Sequence, residues 1–157
     1  MKIAANILAA TLAFGLMSCE KFPVINVDLT SEMTFDVNKN LLQYSDSRLL
    51  DPTTNEDFNK RSGKINEVTI SKVTYTISDF QGSDTQVANA TYSVADENGN
   101  NPQTIGSFIN INLSSEVGKE TELTLNPAGT AALANYLANS PFESTVSYNA
   151  NETTGAF

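Results

Sequence analysis

Between residues 25 and 37 the apolar side chains keep to odd positions. Ile25, Val27, Leu29, Met33, Phe35 and Val37 alternate with Asn26, Asp28, Thr30, Glu32, Thr34 and Asp36. A period of two puts the apolar set on one face of an extended chain, whereas a helix would scatter it around the axis. The stretch therefore reads as an antiparallel strand, or two in line, with one face buried and one wet. The same period returns downstream. Val68 and Ile70 are in even phase, but Val73, Tyr75 and Ile77 are odd. A clean strand cannot change face midway, so a bulge or break is expected near Ser71-Lys72. Ala88, Ala90, Tyr92 and Val94 share a third face, and Ile105, Ile109, Ile111 and Leu113 a fourth, interrupted at Ser107. The turn Asp96 to Pro102, with Asn98-Gly99 as its strongest signal, joins these two blocks into a hairpin.

Residues 38–64 lose the alternation and read as a long polar loop. Within it Thr54 or Asn55 can cap one helical turn, with Glu56 and Asp57 at its positive end and Gly63 at its exit. Leu123 and Leu125 make a short strand that runs into the clearest helix signal of the chain. Asn126 suits the N-cap, Pro127 the first helical position, and Leu133, Tyr136 and Leu137 form one apolar stripe. Asn139-Ser140-Pro141 ends the helix, and Phe142, Val146, Tyr148 and Ala150 read as the last strand. Asn151 to Gly155 then looks like a turn, and Ala156-Phe157 like the start of another strand. That favours a truncated C-terminus, since the sheet edge would otherwise stay unpaired. The whole pattern predicts a mainly β domain over 25–157. Its expected form is an immunoglobulin-like antiparallel β-sandwich with one short crossover helix at about 127–138. One Cys and no Trp rule out the antibody-type core, so that likeness is architectural.

The N-terminus carries an address. Lys2 precedes the apolar run Ile7–Met17, which as a helix would rise only about 16 Å, well short of the ~30 Å core of a bilayer. Next comes Leu16-Met17-Ser18-Cys19, which resembles a bacterial lipobox. The resemblance implies that residues 1–18 are a lipoprotein signal peptide, cleaved before Cys19. Cys19 would then be acylated on sulfur and on its new amino group. Several acyl chains anchor stably where one binds only marginally. An ordinary cleaved signal with a chance Cys, or a buried thiol, are the alternatives. Residues 19–24 read as a tether, because Pro23 holds Phe22 extended and the alternation starts only at Ile25.

Charge limits the partners. The chain has 9 basic and 18 acidic residues and a formal net charge of −9. Residues 1–18 hold one Lys and no acid, which leaves 8 basic against 18 acidic, a formal −10. Nucleic acid, which needs clustered cations, is excluded as a partner, and anionic headgroups would repel the domain. Glu20 stands directly after Cys19, where Asp is associated with inner-membrane retention, so the outer membrane is the expected destination.

Chemistry is sparse. With no His there is no His base or His metal ligand. Glu56, Asp57, Glu116, Glu120 and Glu122 all lie in polar stretches, away from the apolar pocket that a general acid needs. Asp96, Asn98 and Asn100 alternate as in a calcium loop. The EF-hand pattern also wants Gly at its sixth position and Glu at its twelfth, and Asn101 and Ser107 stand there. The loop 96–101 reads as a solvated turn. No enzyme activity and no cofactor are expected. Asn89, Asn112 and Asn151 each begin an N-x-[ST] triplet, a pattern of little weight in a bacterial lipoprotein. Tyr44 and Phe58 are the aromatics that core patterning explains least. They would form a contact patch, or be buried if the loop folds back.

Taken together, the lipobox, the acidic β domain and the lack of a catalytic motif resemble small lipoproteins of Gram-negative bacteria. The resemblance implies a non-catalytic, membrane-anchored binding or assembly module with an unidentified protein or glycan partner. The alternative is a carbohydrate- or small-ligand-binding sandwich of an uptake system.

Overall fold

The computed structural model describes residues 2–13, 26–37 and 43–154. In chain order the strands and helices are β1 (Lys2–Ala13), β2 (Asn26–Asp36), β3 (Gln43–Leu50), α1 (Glu56–Arg61), β4 (Glu67–Ser78) and β5 (Val87–Ala95). They continue with β6 (Gln103–Asn112), β7 (Glu120–Glu122), β8 (Thr124–Leu125), α2 (Pro127–Ala138) and β9 (Ser144–Thr154). One sheet runs β2-β1-β4-β7 and the other β3-β9-β5-β6-β8. Every ladder is antiparallel. The chain is thus mainly β, two packed sheets with two short helices, as the alternation predicts.

The period-two residues meet between the sheets. Met33, Phe35 and Val37 from the first alternating stretch are buried, as are Tyr75 and Ile77 of β4 and Tyr92, Val94 and Tyr148 of the other sheet. Phe35 lies 5.6 Å from Tyr148 and Tyr75 4.8 Å from Phe108, centroid to centroid, so rings from opposite sheets touch directly. Tilted or edge-to-face pairs at such distances add about 0.5–1.5 kcal/mol each beyond area burial. The phase change in β4 also has its expected outcome. Pairing with β1 slips between Val73, Lys72 and Ile70, which absorbs one residue and lets both Val68 and Val73 be buried.

α2 forms as its sequence predicts. Asn126 accepts a hydrogen bond from the Ala128 amide at 2.9 Å, Pro127 opens the helix, and Leu133 and Leu137 are buried. The helix lies against β4 of one sheet and β5 and β6 of the other, and so bridges the two. Gly129 makes the close approach possible, because a Cβ there would overlap the Thr104 carbonyl and the Ile105 backbone. Just before α2 the chain changes sheets. β7 pairs with β4, β8 pairs with β6, and buried Leu123 sits between them.

Three expectations change. Residues 43–50, read as loop, form edge strand β3, paired along its length with β9. Asn151 to Thr154, read as a turn, prolong β9, where Asn151 pairs with Asn89 and Thr154 with Val87. Ile109, read as core, is 69% exposed. Asn110 beside it takes the left-handed conformation (φ 54°) and donates its N–H to Asn89 Oδ1 at 2.8 Å, a bulge that turns Ile109 outward. Residues 2–13 form a strand with a ladder on each edge. The lipobox-like residues 16–19, the tether 19–24 and Ala156-Phe157 lie outside the described residues.

Candidate functional site

The sheet β3-β9-β5-β6-β8 has an apolar inner face and an outer face built almost wholly of small polar side chains. Register explains this. Ser45 pairs with Asn149, Asn149 with Thr91, Thr91 with Ser107 and Ser107 with Thr124, one polar row across all five strands. A second row joins Ser47 to Ser147 and Ser93, and a third joins Gln43 to Asn151 and Asn89. Cross-strand hydrogen bonds tie the rows near the β3 edge. Ser45 Oγ donates to Asn149 Oδ1 at 2.7 Å, and the hydroxyls of Ser47 and Ser147 are 2.9 Å apart. Such pairs contribute roughly 0.2–1 kcal/mol each.

At this edge an open groove of ≈ 370 Å³ is lined by Gln43, Tyr44, Ser45, Thr91, Asn149, Ala150 and Asn151. It offers amides, hydroxyls and backbone groups, and its lining contains no carboxylate, ammonium or guanidinium. Such a surface can exchange hydrogen bonds with a neutral polyhydroxylated or peptide ligand. It supplies no general acid or base at neutral pH and no anionic cage for a cation.

The two aromatics singled out in the sequence go elsewhere. The Tyr44 ring is half-buried and lies 6.0 Å from Tyr148, on the inner side of its strand. Burial and the neighbouring Asp46 raise its phenol above the ordinary value. Phe58 is buried at 1% exposure and meets Phe142 edge-on at 5.6 Å. Asn55 places it there by capping α1, its Oδ1 accepting from the amides of Asp57 and Phe58. The contact-patch option therefore falls for Phe58, and Tyr44 reaches the groove only as part of its wall. Tyr44, Tyr148, Tyr92, Phe108 and Tyr75 instead form a continuous column of rings through the core. At its centre, burial holds the Tyr92 phenol well above its usual range, helped by Tyr148 and Tyr75.

The remaining candidates serve the fold. Asp96 Oδ1 accepts from the amides of Asn98 and Asn100 at 2.9 and 2.8 Å, which staples the 96–101 turn, and Gly99 takes its positive φ. Among the described residues no three His, Cys, Asp or Glu side chains converge to hold a metal ion. Glu120 pairs with Lys72 at 2.8 Å, and that hydrogen bond lowers its carboxyl, the direction opposite to a general acid's. Glu116 accepts from Thr121 Oγ1 at 2.9 Å and pairs with Lys119. Among the described residues no helix is long and apolar enough to cross a membrane.

No family model matches the chain, and no curated protein or solved structure matches it either.

Proposed function

We propose that this chain is a non-catalytic lipoprotein of the Gram-negative cell envelope. In this reading acylated Cys19 anchors it, at the outer membrane, and the domain serves as a binding or assembly module. The observation that carries the reading is Leu16-Met17-Ser18-Cys19 at the end of a short apolar run that begins after Lys2. The domain's negative charge supports it, because an acidic surface has no electrostatic hold on anionic lipid and needs a covalent anchor. So do the carboxylates described above, which are engaged in turns and surface ion pairs. The immunoglobulin-like form of the sandwich belongs to the same reading, supported by the two packed sheets. Labelling of cells with a clickable fatty acid tests the anchor. Wild type should label and Cys19→Ala should not, and equal labelling of the two would remove the lipoprotein.

A second reading, a carbohydrate- or small-ligand-binding sandwich, is favoured by the uncharged amide- and hydroxyl-lined groove at the β3 edge. A glycan array decides it: discrete hits lost in Asn149→Ala would favour this reading, and an empty array would dismiss it.

A further inference from the structure

β3 ends the five-stranded sheet, and among the described residues no strand pairs with its other side. It runs beside β9 without a bulge, and Gln43–Leu50 contains no Pro, Gly or Lys to blunt the edge. The opposite edge of the sheet differs: β8 has two residues, and β6 beside it is bent at Asn110. The outward backbone groups of β3 belong to its odd residues. Ser47 donates its N–H to Asp46 Oδ1 at 2.8 Å, which places that amide on the open side of the strand. Backbone groups alternate between the two sides, so Ser45, Ser47 and Leu49 all aim theirs away from β9. The side-chain contacts Ser45–Asn149 and Ser47–Ser147 agree, because side chains stand closest at the non-hydrogen-bonded pairs of a ladder. The even residues carry the charges. Asp46 and Arg48 share a face with Tyr44 and Leu50, and they pair with each other at 2.7 Å. Arg48 Nε donates to the Thr34 carbonyl at 3.5 Å, which leaves its two terminal nitrogens for a carboxylate.

We propose that β3 is a dimerisation edge, which pairs antiparallel with β3 of a second copy of this chain about a two-fold axis at Ser47. Charge complementarity selects both the occupant and the register. With the axis at Ser47, Asp46 faces the partner's Arg48, Arg48 faces the partner's Asp46, and Tyr44 faces the partner's Leu50. Ser47 faces itself and Ser45 faces the partner's Leu49, so the outward N–H and C=O groups of all three odd residues meet complements. A slip of the axis spoils this. An axis at Asp46 sets two carboxylates opposite each other, and an axis at Arg48 sets two guanidinium groups so; like charges directly opposite are destabilising. An axis at Ser45 puts Asp46 opposite Tyr44, and one at Leu49 puts Arg48 opposite Leu50. Charges on the inner face of an edge turn away unrelated strands, and here a second copy neutralises both of them.

On pairing, the Ser47 N–H exchanges Asp46 Oδ1 for the carbonyl of the partner's Ser47, and Asp46 turns to the partner's Arg48. The interface is isologous, as closed two-fold symmetry requires. Two five-stranded sheets become one of ten, and the polar rows of the outer face run on across the axis. Leu49, an apolar side chain 54% exposed, comes to lie beside the partner's Ser45. Because Ser45 lines the open groove, the partner's Leu49 joins the wall of that groove. The dimer does not rest on the anchor at Cys19.

Sedimentation equilibrium tests it on the full chain, kept reduced and in detergent matched to the density of the solvent. The wild type should pass from one chain mass to two as its concentration rises. Asp46→Arg sets like charges across the axis, and so does Arg48→Asp, so each variant alone should stay at one chain mass. Mixed together the two should form a heterodimer, because one strand then carries two cations and the other two carboxylates. Both variants lack the pair within the chain, so recovery on mixing cannot come from a firmer fold. Ser47→Pro removes the central outward N–H, which β9 does not use, and should give a folded monomer by circular dichroism. That variant decides the matter if either charge reversal unfolds. A wild type that stays at one chain mass into the millimolar range would overturn the dimer. Reversal variants that dimerise alone as the wild type does would overturn the charge pairing. Folded reversal variants that stay monomeric when mixed would overturn the register, and a Ser47→Pro dimer would overturn the β3 edge as the interface.

Discussion

The two sheets of this molecule differ in how they are completed. The five-stranded sheet draws every strand from residues 43–154, and a column of tyrosine and phenylalanine rings fixes its inner face. The four-stranded sheet depends on Lys2–Ala13, residues that sequence logic assigns to a cleaved leader. The first sheet should be indifferent to processing, and the second should not. α2 bridges the sheets, and its strength decides how far loss of one is felt by the other.

Substitutions of graded severity can break or sharpen this contrast. The largest effect should come from Tyr148→Ala, which removes the ring touching Tyr44, Tyr92 and Phe35 at once. A loss of about 3–5 kcal/mol in urea unfolding is expected, on the scale of other buried aromatics. A cost under about 1 kcal/mol would show that the five-stranded sheet is not the firm one. Next comes Leu133→Ala in the bridging helix, where the side chain is fully buried. It should cost about 2–5 kcal/mol, and a change within about ±0.5 kcal/mol would mean that α2 does not tie the sheets together. Asn126→Ala removes one capping bond and should cost about 1 kcal/mol. Asn126→Ser, which restores an acceptor, should recover most of it, and failure to recover would point to a role other than capping.

The smallest effect belongs to the surface pair on the four-stranded sheet, Lys72 with Glu120. The Lys72 hydrogen bond and charge lower the Glu120 carboxyl, so its contribution is present above the ordinary carboxylate value and is lost as pH falls through the lowered one. The Lys72 ammonium is raised by the same partner, so its share is present below the ordinary lysine value and is lost as pH rises through the raised one. Both groups are solvated, and the effect should be barely measurable. Glu120→Gln should shift the thermal midpoint slightly at neutral pH, and not in strong acid or high salt. A shift that survives acid would have another origin.

What could be read from sequence follows what the elements depend on. α2 was legible because Asn126, Pro127 and the Leu133, Leu137 stripe are local signals that the sandwich reinforces. The slip in β4 was legible because Ile70 and Val73 cannot share a face without it. β3 was not, because an edge strand wet on its outer side needs few apolar residues, and only Tyr44 and the buried Leu50 mark its inner face. Ile109 misled because its phase fits the strand, and only the left-handed Asn110 turns it out. The groove escaped for a similar reason. Ser45 and Asn149 are 104 residues apart, and only the register of β3 on β9 joins them. β1 is the most instructive case. A short apolar run satisfies the pattern of a leader and of an inner strand alike, and periodicity cannot separate the two.

The contrast between the sheets rests on one comparison that amide exchange can make directly, with no added ligand. It sets the intact chain, still carrying residues 1–18, beside the processed chain that begins at Cys19. The account predicts that β5 and β9 exchange equally slowly in both, while β2 and β4 are protected in the intact chain and open in the processed one. Equal protection of β2 and β4 in the two forms would contradict it, because the four-stranded sheet would then stand without the strand at its centre.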